Sequence, residues 1–123
     1  MAAPHSPQVS PRRVLIVEDE VLIAMVLEDM LEMLGHAVTG TSASYAEADM
    51  AIAAGGFDLA ILDVHLGQKP VFPLADRLIE AGTPLIFATG SQRDSLPARF
   101  GGAQVLEKPY AVAAVEAALA KLS

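Results

Sequence analysis

The chain has 123 residues, of which 53% are hydrophobic and 19% charged, with a formal net charge of −7 and no cysteine. This length and composition predict one globular domain around one core. The acidic balance argues against binding to nucleic acid backbones, which need a basic protein face. Disulfide scaffolds and thiolate metal sites are excluded because both need cysteine.

The start of the chain lacks the apolar core of a secretion signal, and the longest apolar run, VLIAMVL at 21–27, is too short to cross a bilayer. We therefore expect a cytoplasmic domain that does not insert into membranes. Residues 1–11 contain three prolines and no periodic pattern, which predicts a flexible leader before a folded domain at 12–122.

Short apolar runs then alternate with segments of helical period, which indicates strands separated by helices. The predicted strands are VLIV (14–17), HAVTG (36–40), DLAILD (58–63), PLIFAT (84–89) and AQVLE (103–107). The first predicted helix runs from after Glu20 to Gly35, and the second begins at the capping pair Ser44 and Glu47. The third carries Pro73 in its first turn, and the last is AVAAVEAALAKL at the end of the sequence.

This alternation predicts an α/β fold with right-handed crossovers and a doubly wound, five-stranded parallel sheet covered on both faces. One segment breaks the pattern. Between Thr89 and Gln104 the sequence GSQRDSLPARFGGA has a central proline and a closing glycine pair. We expect the fourth helix to be short or disordered there.

Polar residues stand at the carboxyl ends of four predicted strands, where doubly wound sheets bind their ligands. They are Glu18, Asp19 and Glu20, then Asp63, Thr89 and Lys108. Any one of them could be a helix-terminal acid, a loop cap or a solvated charge. Together they indicate a functional site, because clustered carboxylates repel one another unless a cation such as Mg²⁺ relieves them.

This ordered set resembles the receiver domain of two-component response regulators. The motifs VLIVEDE, DLAILDVHL, FATG and LEKPY stand where that family has its own, and the resemblance covers about residues 12–122. It implies a flavodoxin-like sheet with strand order 2-1-3-4-5. It also implies that Asp63 accepts a phosphoryl group from the phosphohistidine of a sensor kinase, assisted by Thr89 and Lys108 at the phosphoryl oxygens.

The same resemblance implies a metal site for Mg²⁺, in which Mn²⁺ could substitute. Asp19 and Asp63 would be direct ligands, Glu18 would act nearby or through water, and the backbone carbonyl of His65 would complete the set without its imidazole. The Lys108–Pro109 peptide bond is a candidate for the cis form, which is uncommon among X-Pro bonds in general.

Two departures narrow the sub-class that the sequence resembles. Strand five carries Val105 where typical receivers have a switching aromatic residue, and Tyr110 could either replace that residue or simply pack. The loop after Asp63, VHLGQKPVFP, together with PLIFATG and LPARF, resembles single-domain receivers with a Phe-Ala-Thr-Gly motif. That sub-class is associated mostly with alphaproteobacteria and with kinases of the HWE or a related divergent type.

Three functions follow as hypotheses. The first is a stand-alone phosphoacceptor that assists its own phosphorylation and dephosphorylation without being a turnover enzyme, and that relays or signals by contacting a sensor kinase or a phosphotransfer protein. The second is an interaction module that works without phosphorylation. The third is a Mg²⁺-dependent phosphohydrolase, which typically has a second carboxylate two residues after its nucleophile, where this chain has His65. The oligomeric state is left open.

Overall fold

The computed structural model describes residues 11–90 and 96–122. Five strands form one parallel sheet in the order β2-β1-β3-β6-β7, which is the predicted order once the strands outside this sheet are set aside. The sheet strands are β1 (Arg13–Val17), β2 (Ala37–Ser42), β3 (Leu59–Asp63), β6 (Leu85–Thr89) and β7 (Gln104–Glu107). A separate antiparallel hairpin contains β4 (His65–Leu66) and β5 (Lys69–Pro70).

Three α-helices connect sheet strands and a fourth follows the last strand: α1 (Val21–Met33), α2 (Tyr45–Ala54), α3 (Phe72–Glu80) and α4 (Val112–Ala120). The predicted capping pair is present at the start of α2, where the Glu47 N–H donates to Ser44 Oγ at 3.1 Å. Gly35 follows α1 with φ +93°, a left-handed conformation that costs glycine little.

Apolar side chains alternate along the strands and fill a core on each face of the sheet. In β1, Leu15 and Val17 point to one face while Val14 and Ile16 point to the other, and all four are 2% exposed or less. Helices α2 and α3 cover the first face, and α1 and α4 cover the second. Full burial of one such side chain stabilises the fold by about 1.5–3 kcal/mol.

The second strand differs from the prediction of 36–40, because it begins one residue later and continues to Ser42. His36 is still tied to α1 by its N–H, which donates to the Leu31 carbonyl at 2.9 Å. A register shift after Val14 then lengthens β2, so that Val17 pairs with Ser42. The alternating polar residues of this edge strand concealed its length.

The segment that breaks the pattern contains a 3-10 helix at Ala98–Phe100, within its described part. The prediction of a short helix is therefore confirmed for the part of the segment at 96–103. Residues 91–95 lie outside the described residues. The predicted leader also lies outside them except for residue 11. No helix in the described ranges is both long enough and apolar enough to span a membrane.

Candidate phosphoacceptor and metal site

The predicted site residues meet at the carboxyl edge of the sheet. Glu18, Asp63 and Thr89 are only 2%, 8% and 5% exposed. Backbone pairing fixes their places: the Glu18 N–H donates to the Ser42 carbonyl at 3.0 Å, and the Lys108 N–H donates to the Thr89 carbonyl at 2.9 Å. Since apolar strands end at these residues, the sheet itself brings the polar groups together.

The ammonium of Lys108 lies between two buried carboxylates. Its Nζ is 2.7 Å from Glu18 Oε1 and 3.2 Å from Asp63 Oδ2. Burial and the charge of Glu18 raise the pKa of Asp63 to about 6, although Lys108 pulls it down. Burial lowers the pKa of Lys108, but its bond to Glu18 and the charge of Asp63 raise it more, so that it lies above its usual value. The lysine is charged and already paired.

The three acids can present oxygens to one cation. One carboxylate oxygen from each of Glu18, Asp19 and Asp63 lies within 4.8 Å of the others. Hard carboxylate oxygens are the ligands that Mg²⁺ takes, so these residues fit a magnesium ion. Besides its pairing with Lys108, Glu18 accepts the Glu20 N–H on Oε2 at 3.1 Å.

His65 begins the hairpin two residues after Asp63, and its side chain is exposed. Its N–H donates to Asp63 Oδ1 at a long 3.4 Å. The Val71 N–H donates to the Val64 carbonyl at 3.1 Å. Antiparallel pairs alternate, so the next pair, His65 with Pro70, is a non-hydrogen-bonded pair. The backbone of His65 therefore faces away from its hairpin partner and toward Asp63.

The two residues considered for an aromatic switch lie on opposite faces of the sheet. Val105 packs against the core under α2 and α3, whereas Tyr110 packs against the core under α1 and α4. Tyr110 therefore does not occupy the place of Val105. Burial raises the pKa of its phenol, and the charges of Glu18 and Asp63 add to this rise; Tyr110 lines the same cavity as Lys108. The Lys108–Pro109 bond is cis, as expected.

Sequence reasoning missed the hairpin and the Glu18–Lys108 pair. At the hairpin tip, the Gly67 N–H donates to Asp19 Oδ2 at 3.1 Å. A glycine followed by a polar residue between short extended segments could have indicated a two-residue turn. No sequence signal could have shown that Lys108 lies nearer to Glu18 than to Asp63, because side-chain packing decides that.

Compared with known families, residues 14–120 match the response regulator receiver domain. This chain belongs to that family. The resemblance inferred from its strand-end motifs is confirmed, and so is the fold. Receiver domains bind Mg²⁺ through an acidic cluster and interact with histidine kinases and phosphotransfer proteins. The individual roles of Asp63, Thr89 and Lys108 in this receiver domain stay predictions.

Solved structures and curated proteins extend the comparison. The solution structure of SdrG from Sphingomonas melonis Fr1 is 44% identical with a TM-score of 0.84, over 94% of this chain and 98% of that one. The BeF3-activated conformation of SdrG from Pseudomonas melonis Fr1 is also 44% identical, with a TM-score of 0.78 over 93% of this chain and 98% of that one. The backbone of this receiver is therefore more similar to the first.

The transcriptional regulatory protein PdtaR of Mycobacterium tuberculosis H37Rv is 36% identical over 106 residues, which are 83% of this chain and 52% of PdtaR. This receiver thus spans about half the length of that curated relative.

Proposed function

We propose that this receiver domain accepts a phosphoryl group on Asp63 from a sensor histidine kinase or a phosphotransfer protein, in a Mg²⁺-dependent reaction, and then relays it or signals by protein contact. The observation that carries the proposal is the position of Asp63. It is 8% exposed at the sheet edge, 3.2 Å from an ammonium and within the acidic cluster. Such a carboxylate is a shielded nucleophile beside groups that can balance added negative charge.

In this reaction one Asp63 oxygen forms a bond to phosphorus while the bond from phosphorus to the donor nitrogen breaks. With a pKa of about 6, Asp63 is mostly ionised at neutral pH and can act as the nucleophile. Lys108 turns its ammonium from Asp63 to a phosphoryl oxygen, and the Thr89 hydroxyl donates to another. A bound Mg²⁺ would neutralise charge on the transferring group. Asp19 and Asp63 would hold it with the His65 carbonyl, and Glu18 would act nearby.

The proposal includes a role as an acceptor that assists its own phosphorylation and dephosphorylation, not a turnover enzyme. Two residues beyond Asp63 stands His65, in a backbone orientation that suits a carbonyl ligand. A phosphohydrolase of the expected type would need a carboxylate there. The motif Phe87-Ala88-Thr89-Gly90 and the short 3-10 helix support the Phe-Ala-Thr-Gly sub-class, and with it a kinase of the HWE type.

The amino-terminal half of α1 is the surface that best suits the partner. Val21, Leu22, Met25 and Val26 are 67%, 76%, 51% and 46% exposed. A cavity of about 380 Å³ lies beside them, lined in part by Leu22, Lys108 and Tyr110. Apolar residues exposed together mark protein contact sites, and this group adjoins the reacting lysine.

Phosphorylation of the full chain tests the proposal. Incubation with acetyl phosphate and Mg²⁺, followed by intact-protein mass spectrometry, should show one added phosphoryl group on the wild type and none on Asp63→Asn. Asp29→Asn, which changes an exposed acid on α1, is the control and should be labelled normally. Label that survives in Asp63→Asn would contradict the proposal, and a wild type that takes no label and binds no Mg²⁺ at Asp19 and Asp63 would favour the interaction module instead.

A further inference from the structure

The loop after Asp63 has an ordered shape that the phosphoacceptor role does not itself require. It folds back as the hairpin β4–β5 with Gly67 and Gln68 at its tip. Gly67 has φ +63°, and a Cβ built on it meets nothing within 4 Å. The positive φ, and not a lack of space for a side chain, therefore favours glycine at this turn.

The hairpin is held along its length. Its base is closed by the bond from the Val71 N–H to the Val64 carbonyl, 3.1 Å long. Leu66 is 3% exposed in the core, and the Lys69 ammonium lies 5.1 Å from the centre of the Tyr45 ring. A tip supported in this way presents its backbone N–H in a defined direction.

That N–H donates to Asp19 Oδ2 at 3.1 Å. A carboxylate has two oxygens and can accept several bonds, so Oδ1 stays available for a cation while Oδ2 is held. Hydrogen bonds to a ligating carboxylate fix its orientation and commonly set metal affinity. Asp19 needs such support more than Glu18 does, because Glu18 is already held by Lys108 and by the Glu20 N–H.

We propose that Gly67 is a positioning residue of the metal site: the hairpin delivers its N–H to Asp19 and thereby orients that carboxylate for Mg²⁺. This inference rests on the proposed function, since it takes the acidic cluster as the magnesium site. In this role the segment VHLGQKPVFP connects Asp63, at the end of β3, to Asp19 in the loop that follows β1.

The direct test removes the hydrogen-bond donor and keeps every side chain. Glycolate incorporated at position 67 of the full chain replaces the Gly67 N–H by an ester oxygen, and Mg²⁺ affinity is measured by calorimetric titration with MgCl₂. The Kd for Mg²⁺ should rise about tenfold. Glycolate at position 82 is the matched control, because the Gly82 N–H donates to the Ile79 carbonyl at 2.9 Å, at the end of α3 and before β6 begins. It should leave the Kd unchanged. An ester at 67 that also leaves the Kd unchanged would overturn the proposal.

Side-chain variants give a second series in case an ester chain does not fold. Gly67→Ala strains the left-handed backbone without a clash and should weaken Mg²⁺ binding several-fold, whereas Gly67→Asn tolerates that conformation better and should stay nearer to the wild type. The control is Gly82→Ala, which has φ +76° and also meets nothing within 4 Å. Equal Mg²⁺ affinity in all four proteins would refute the positioning role.

Failure of this inference can be told apart from failure of the proposed function. The titration needs no phosphoryl donor, so it decides the role of Gly67 even if the wild type takes no phosphoryl group. If both proposals hold, the position-67 ester should regain wild-type labelling by acetyl phosphate at saturating Mg²⁺, because the nucleophile Asp63 is untouched. Labelling that stays low at saturating Mg²⁺ would contradict a role limited to metal positioning.

Discussion

At the scale of single residues, the site is a group of charges in incomplete balance. Glu18, Asp19 and Asp63 contribute three negative charges, and Lys108 is the ammonium that pairs with the two buried ones. Burial, and after it the charge of Glu18, raise the pKa of Asp63 to about 6 despite the lysine, and the cluster keeps a net negative charge. That net negative charge is what a divalent cation would balance. A bound metal would therefore also relieve the unfavourable ionisation of Asp63.

A stability measurement should detect the cost of ionising Asp63 in the folded protein. The folded pKa of Asp63, about 6, lies above the unfolded value of about 4. Its contribution to stability is therefore fully present below about pH 4 and is lost as the pH rises through about 6. In metal-free buffer at pH 7.5, Asp63→Asn should unfold with a free energy higher than the wild type by about 1–2 kcal/mol.

Thermal unfolding in EDTA between pH 4.5 and 7.5, in steps about one unit apart, checks this linkage. The stability difference between Asp63→Asn and the wild type should grow with pH, and Asp29→Asn should show no such growth. Mg²⁺ binding by the wild type should weaken as the pH falls through about 6 because protons compete for Asp63. A stability difference between Asp63→Asn and the wild type that does not change with pH would show that folding does not raise the pKa of Asp63.

At the scale of elements, the β6–β7 connection depends on three rings. Phe100 of the 3-10 helix lies 5.5 Å from Phe72 on α3 and 5.2 Å from Phe87 on β6, measured between ring centroids. Phe100 is 2% exposed. This aromatic group gives the short 3-10 helix its core contact, and it links that helix to the strand that ends in Thr89.

Removal of the central ring should therefore be costly. Phe100→Ala should lower the free energy of unfolding by about 3–5 kcal/mol, since a large side chain is lost from a filled core. Arg99→Ala is the neighbouring control. It removes the exposed ion pair with Asp76 and the contact of the guanidinium with the Phe100 ring, 4.6 Å from its centroid, and should cost less than about 2 kcal/mol. Urea unfolding measures both, and equal costs would mean that Phe100 does not anchor the connection.

The secondary structure elements also show which features of the fold can be predicted from the sequence. Strand ends are predictable because a continuous apolar run stops at a polar residue, and this placed Asp63 and Thr89 at the correct edge. The aromatic group was not predictable, because Phe72, Phe87 and Phe100 meet only after the chain has crossed the sheet. Pairing also decided the end of β2, and backbone geometry after Asp63 decided the hairpin, so local pattern alone missed both.

At the scale of the whole molecule, exposed apolar side chains coexist with a net charge of −7. Several of them lie on α1 beside Lys108. Charge keeps a domain of this size in solution while such a surface stays open for a partner. The proposed phosphoacceptor site and the proposed docking surface thus lie next to each other but use different side chains.

This separation can be measured. Leu22→Gln should slow phosphoryl transfer from a kinase or phosphotransfer protein by about tenfold, equivalent to about 1.4 kcal/mol of lost contact, and leave labelling by acetyl phosphate unchanged. Met50→Gln is the matched control, because Met50 on α2 is 74% exposed, close to the 76% of Leu22. Transfer rates that respond equally to both changes would place the docking surface elsewhere.

The position of Tyr110 gives the molecule an optical property. The chain has two tyrosines and no tryptophan, and one of them lies half-buried beside Glu18 and Asp63. Phenol emission responds to nearby charge, so ultraviolet fluorescence at this tyrosine reports the electrostatic state of the acidic cluster without any attached dye. With Tyr45→Phe to silence the other emitter, Mg²⁺ binding at the cluster should change the emission of Tyr110.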